Sequence, residues 1–263
     1  MKLGMINGET PDCFDYAKSK HLDFIEICRN YDEETLKFID NVASVKESMA
    51  RTGLSVQSVG RWNSFPNNKG ELNREVFEMN CKLIDAAAAV GSEIFVCGCN
   101  YDESISLYRN YTFAIRYFAD IMAYAGKYGM KTAVCNCSWN NFVYSPREWQ
   151  VVLGELPDLM IKFDPSHAFY RNPNTYIEEL QEWIGRVAHM HVKGACIING
   201  KQYDDPPVGM DQIDWKTIFA ILYREKYEGG LSLEPHSSTW HRKELKDGGV
   251  DFALRFIRPF LMK

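Results

Sequence analysis

The stretch Leu159-Met160-Ile161-Lys162-Phe163-Asp164-Pro165-Ser166-His167 runs from a short apolar segment directly into a D-x-x-H pair, and then into the loop Arg171-Asn172-Pro173-Asn174. Asp164 and His167 therefore stand where a buried strand gives way to a loop. A carboxylate and an imidazole at such a point suit a divalent metal and a polar ligand. The plainer reading makes Asp164 a cap on the following turn with His167 packed against it, since an isolated D-x-x-H is common by chance. The weight comes from other strand ends of the same kind.

Working outward, short apolar or period-2 runs alternate with helical stretches along the whole chain. Strands are expected at Lys2–Ile6, Leu22–Cys28, Leu54–Val59, Glu93–Cys97, Met130–Cys135, Leu159–Phe163, Arg186–Val192 and Gly230–Leu233. Helices are expected at Pro11–Lys20, Asp32–Arg51, Glu71–Val90, Ser104–Tyr128, Pro146–Gly154, Asn174–Ile184, Asp214 to about Lys226, and Lys243–Leu261, with Gly53, Gly91 and Gly129 as stops. Eight such units in about 250 residues predict a single (β/α)8 TIM barrel, one domain over residues 1–263. An open doubly wound sheet fits less well, because no G-x-G-x-x-G follows the first strand.

The 263 residues are 46% hydrophobic and carry a formal charge of −5. That balance offers no footprint for nucleic acid or an anionic membrane, and no apolar run is long enough to span a bilayer. Met1-Lys2-Leu3-Gly4-Met5 does not read as a signal peptide. The eight cysteines fall mostly in apolar strand-like runs, so reduced thiols in a cytoplasmic setting are expected. Cys97-Gly98-Cys99 and Cys135-Asn136-Cys137 lack zinc-ribbon spacing.

In this barrel the active site lies at the C-terminal ends of the strands. The fifth strand ends in Cys135-Asn136-Cys137, the sixth in Asp164 and His167, the seventh in His189-Met190-His191-Val192-Lys193, and the eighth in Glu234-Pro235-His236. Residues two apart share a face of a strand, so His189, His191 and Lys193 point one way, as do Ser232, Glu234 and His236. Thiol, carboxylate, imidazole and carboxylate thus reach one mouth, a grouping best explained by a divalent metal.

With Phe24-Ile25-Glu26-Ile27, Asp164-Pro165-Ser166-His167, His189 to Lys193, Pro207-Val208-Gly209 to Ile213-Asp214-Trp215, and Leu231-Ser232-Leu233-Glu234, the chain resembles the sugar isomerase/epimerase family of xylose-isomerase-like barrels. That resemblance implies one divalent ion (Mn, Co, Zn or Mg), with Asp164, His191 and Glu234 as three of its four ligands, and His167 on a substrate oxygen. It further implies proton transfer beside a metal-polarised carbonyl of a small carbohydrate, with Glu234 as a base, and barrels that often form homo-oligomers.

The chain departs from the family at its first ligand, where Cys135 stands for the expected glutamate, and after H-x-K, where Gly194 stands for an acidic residue. Three roles are open for Cys135: a thiolate ligand suited to Zn, a second acid/base, or a small buried hydrophobe. Asn136, Arg61, Lys193, Trp62, Trp139 and His236 are candidate substrate-binding residues; salt bridges and rim packing are the plainer readings of the charged and tryptophan positions. Besides the isomerase or epimerase reading, two others stand: a metal-dependent lyase or hydrolase of a modified glycoside, and a non-catalytic sugar-binding barrel. The endonuclease branch is disfavoured, because it needs many histidines and the chain has 6.

Overall fold

A computed structural model describes residues 1–262. The chain runs β1 (Lys2–Ile6), α1 (Pro11–Ser19), β2 (Phe24–Cys28), α2 (Asp32–Asp40), α3 (Val42–Thr52), β3 (Ser55–Arg61), the short pair β4 (Asn67–Asn68) and β5 (Glu71–Leu72), and α4 (Arg74–Ala89). Next come β6 (Ile94–Cys97), α5 (Leu107–Gly126), β7 (Lys131–Cys135), α6 (Pro146–Glu155) and β8 (Met160–Phe163). It continues with α7 (Pro165–Arg171), α8 (Tyr176–Trp183), β9 (Val187–Val192), the hairpin β10 (Cys196–Ile198) and β11 (Lys201–Asp204), α9 (Trp215–Arg224), β12 (Gly230–Leu233) and α10 (Lys243–Ile257). Eight strands close into a barrel in the order β1-β12-β9-β8-β7-β6-β3-β2. This is the (β/α)8 architecture that the alternation predicts. Residue contacts gather into two compact units, Gly4–Lys162, and Met1–Leu3 with Phe163 onward.

In β2, β8, β9 and β12 apolar residues alternate with polar ones, yet both faces are buried. Ile25 and Ile27 bracket Glu26, and Ile161 and Phe163 bracket Lys162, all of them 1% exposed or less. Met190 and Val192 alternate with His189 and His191, and Leu231 and Leu233 flank Ser232. The period of two gives these strands one apolar face and one face carrying ionisable or hydroxyl groups. Parallel pairing in register sets Glu26 opposite Ser58, Cys135 opposite Lys162, and Ser232 opposite His191. Buried polar groups are costly unless partnered, so so many of them on strand faces mark a built site rather than a plain core.

Three departures from the predicted elements have local causes. The long helix expected over Asp32–Arg51 is two helices, broken at Asn41, which closes α2 and opens α3 with φ −89° and ψ 2°. Asparagine competes for the backbone and is a weak helix former. The D-x-x-H segment is not loop but the first turn of α7, with Pro165 in its first turn and Asp164 as cap. The segment after Lys193 folds into β10–β11 around Asn199 and Gly200, both at positive φ (52° and 73°), as a tight hairpin turn requires.

Gly60 on β3 shows how tightly the strand ends are set. A Cβ there would lie 2.7 Å from Nε1 of Trp62 and 2.9 Å from the carbonyl oxygen of Val96, its neighbour on β6. Gly60→Ala is expected to lower stability by about 1–3 kcal/mol through overpacking, read as a fall in the urea midpoint with an unchanged slope.

Candidate active site

Asp164 closes β8 and caps α7, and its two oxygens have separate tasks. Oδ1 accepts a hydrogen bond from the Ser166 amide at 2.9 Å. Oδ2 faces the Lys193 ammonium at 3.1 Å, His167 Nε2 at 3.4 Å and His191 Nδ1 at 3.9 Å. Oδ1 thus makes the cap, and Oδ2 is left to the lysine and the two imidazoles.

His191 and Lys193 lie on one face of the β9 strand and its continuation. His191 Nδ1 is 2.9 Å from Glu234 Oε2, and Lys193 Nζ is 3.4 Å from the same oxygen and 3.4 Å from His167 Nε2. Glu234 follows directly on β12, where its backbone amide donates to the Val192 carbonyl at 3.1 Å. Asp164 and His191 are fully buried, Lys193 is 3% exposed and Glu234 is 9% exposed. Burial pushes the Asp164 carboxyl up, but the Lys193 ammonium and the His167 and His191 imidazoles outweigh it and hold the group well below the usual carboxylate range. Burial likewise pushes Lys193 down, and the carboxylates of Asp164, Glu234 and Asp205 reverse that, so the lysine stays charged.

One donor atom each from Asp164, His191 and Glu234 lie within 4.8 Å of one another. Two carboxylates and an imidazole at that spacing fit a single divalent ion of the Mg, Mn, Co or Zn kind.

Residues 14–259 match the xylose isomerase-like TIM barrel family. The chain belongs to that family. No protein of curated function matches it by sequence. Among solved structures, the 3-keto-D-glucoside 4-epimerase YcjR from E. coli superposes with TM-score 0.80 at 16% identity, covering 98% of this chain and 99% of that one. D-psicose 3-epimerase from Clostridium cellulolyticum H10, solved with D-tagatose, gives 0.81 at 14% identity over 100% of both chains. The probable 3-DHS dehydratase AsbF from Bacillus anthracis gives 0.73 at 12% identity, over 98% and 99%. At these identities the likeness is one of fold.

In this member of the xylose isomerase-like family, Cys135 ends β7 as a fully buried thiol. Its Sγ lies 3.7 Å from Nδ2 of Asn141, which also donates to the Cys135 carbonyl at 2.8 Å. Burial pushes the thiol up to about 12, so it is neutral at physiological pH. Asn136 is buried, its amide donating to the Lys162 carbonyl at 3.3 Å. Arg61 is buried and pairs with Asp32. Trp62 is nearly buried, with the Lys162 ammonium 4.1 Å from the centre of its ring. Trp139 is exposed on the loop after β7. His236 stands on the far side of Pro235 from Glu234, its Nδ1 at 2.9 Å from Asp205.

The structure adds residues that the motifs did not single out. Asparagines join the loops of the Gly4–Lys162 unit: Asn30 Oδ1 accepts from the Trp62 and Asn63 amides, Asn63 Oδ1 from Asn140, and Asn141 Oδ1 from the Cys99 amide. Asp205 and Tyr170 form a second polar group around His236. A run of asparagines at strand ends was the available signal for the first set, and Asp204-Asp205-Pro206-Pro207 after the hairpin for the second.

Two outcomes follow from this geometry. Lys193→Met leaves two buried carboxylates without their cation and is expected to cost about 3–5 kcal/mol in metal-free protein, measured by urea unfolding. A loss under about 1 kcal/mol, the scale of exposed pairs, would contradict the ion-pair description. In native protein at about pH 8, iodoacetamide should modify Cys13, Cys28, Cys137 and Cys196 and spare the buried Cys97, Cys99 and Cys135, read by peptide mass spectrometry.

Proposed function

We propose that the chain is a sugar isomerase or epimerase acting on a small polyhydroxylated carbonyl compound, a ketose or a keto-sugar, by moving a proton on a carbon beside the carbonyl. The observation that carries this reading is the buried set Asp164, His191, Lys193 and Glu234 at the ends of β8, β9 and β12. Asp164, His191 and Glu234 would hold a divalent ion, whose chemistry when bound is to polarise substrate oxygens. Glu234 takes the proton from carbon and returns it. Lys193 supplies a fixed ammonium where negative charge develops on oxygen, in a site where burial makes that charge count. His167, 27% exposed on its side chain, presents Nε2 towards the same group and holds a substrate oxygen.

The fold neighbours named for 3-keto-glucoside, allulose and psicose epimerisation supply the substrate class. The reading gives the proton to one carboxylate, Glu234, because Asp164 is held by the Lys193 ammonium and the Ser166 amide. A single base takes and returns the proton on one face, which favours transfer between adjacent carbons over inversion at one carbon. A lyase acting on a modified glycoside begins with the same proton removal and differs only in the group expelled.

The test is proton exchange. Metal-loaded protein is incubated in D2O with D-fructose, D-allulose, D-tagatose or a 3-keto-glucoside, and deuterium at carbon is followed by NMR. Wild type should label at least one of them, and Glu234→Gln should slow labelling by at least about 100-fold with its thermal midpoint kept. Chelation should stop labelling, and added Mn should restore it. Release of an aglycone would transfer the reading to lyase chemistry, and metal-loaded wild type that labels none would leave a binding barrel.

A further inference from the structure

We propose that His236 anchors a substrate oxygen beside Glu234, and that Asp205, braced by Tyr170, is the residue that positions it. The proposal rests on the isomerase reading of the site and adds a residue pair to its substrate contacts.

The chain makes a long excursion to bring Asp205 to this place. After Lys193 it leaves through Gly194, turns around the β10–β11 hairpin, and returns as Asp205-Pro206-Pro207. The return passes so close to Gly194 that a Cβ there would sit 2.0 Å from the Pro206 carbonyl oxygen. Only glycine lets the two segments lie together. Asp205 is consequently 8% exposed although it belongs to a loop.

A buried loop carboxylate needs partners, and this one has them on both oxygens. Oδ1 lies 2.5 Å from the Tyr170 hydroxyl and accepts from Gln202 Nε2 at 3.2 Å. Oδ2 accepts a hydrogen bond from His236 Nδ1 at 2.9 Å. The Tyr170 hydroxyl is itself held, accepting from the Cys196 amide at 3.2 Å. Tyrosine, hairpin and carboxylate form one rigid bracket under the imidazole.

The bracket fixes which nitrogen is offered. With Nδ1–H donated to a carboxylate, Nε2 is the pole left for a ligand. Among the described residues none hydrogen-bonds Nε2, and the side chain is 59% exposed. A cleft beside the imidazole is lined by Glu234, Asp205 and His236 together, with Trp240 and Val208 as apolar wall, and the charges of Glu234 and Lys193 reach the ring. On this proposal a polyol with one carbon at Glu234 presents a neighbouring hydroxyl to Nε2. A carboxylate-held imidazole is a better-directed partner for it than a free surface histidine, because its rotamer and tautomer are already set.

Asparagine and glutamine divide the two nitrogens of histidine between them. The amide of Asn reaches about as far as Nδ1, and that of Gln about as far as Nε2. In the exchange assay above, His236→Ala and His236→Asn should raise KM about tenfold with kcat within about threefold, the loss of one hydrogen bond to a polar ligand. His236→Gln should stay within about threefold of wild type. Asp205→Asn should raise KM about tenfold, and Asp205→Asn/His236→Ala should be no worse than His236→Ala alone, since Asp205 acts only through the imidazole. In 15N NMR of the wild-type protein, His236 should carry its proton on Nδ1, and Asp205→Asn should lose that preference. If Asn restores wild-type KM and Gln does not, the imidazole merely ties the loop and the proposal is overturned. It is also overturned if the double variant shows additive losses. Wild type that labels no sugar would instead remove the isomerase reading, and the proposal with it.

Discussion

The ammonium of Lys193 is the constraint around which the site is arranged. Asp164 and Glu234 are brought close by strands β8 and β12, and two buried carboxylates at that spacing repel. Lys193 reaches both from the strand between them, at 3.1 and 3.4 Å. Its position depends on period-2 geometry, which sets His191 and Lys193 on one face of β9 while Met190 and Val192 fill the other. The apolar faces of the strands thus set the positions of the charges on the opposite faces.

Much of this was legible in the sequence because strand ends are local. Asp164, His191, Lys193 and Glu234 each follow an apolar run, and the parallel barrel sends all such ends to one side. Helix and strand positions follow from the same alternation. The break at Asn41 and the helical turn at Pro165 were not read, because each depends on a single residue's backbone preference inside an otherwise plausible pattern.

Asp205 illustrates what a linear pattern conceals. Its role arises from the close approach of Pro206 to Gly194, and from Tyr170, which lies thirty-five positions earlier. No spacing rule connects these residues. The sequence contained a glycine after H-x-K, which reads as the loss of an acidic group. In the folded chain an acidic group reaches Lys193's surroundings by another route: the hydrogen bonds of His236 and Tyr170 and the charge of Lys193 together overcome the upward push of burial on Asp205 and hold its carboxyl below the usual range.

The charges gathered around Lys193 come close to balance before any ligand arrives. Asp164 and Glu234 supply two carboxylates and Lys193 one ammonium. Asp164, Glu234 and Lys193 then sum to one negative charge, so one ammonium already offsets half of the carboxylate charge before any substrate arrives. Such a set holds its carboxylates together and still leaves a net negative charge to attract a divalent cation. Lys193 therefore carries much of the electrostatic task among these groups: its ammonium holds together the two carboxylates that β8 and β12 bring close.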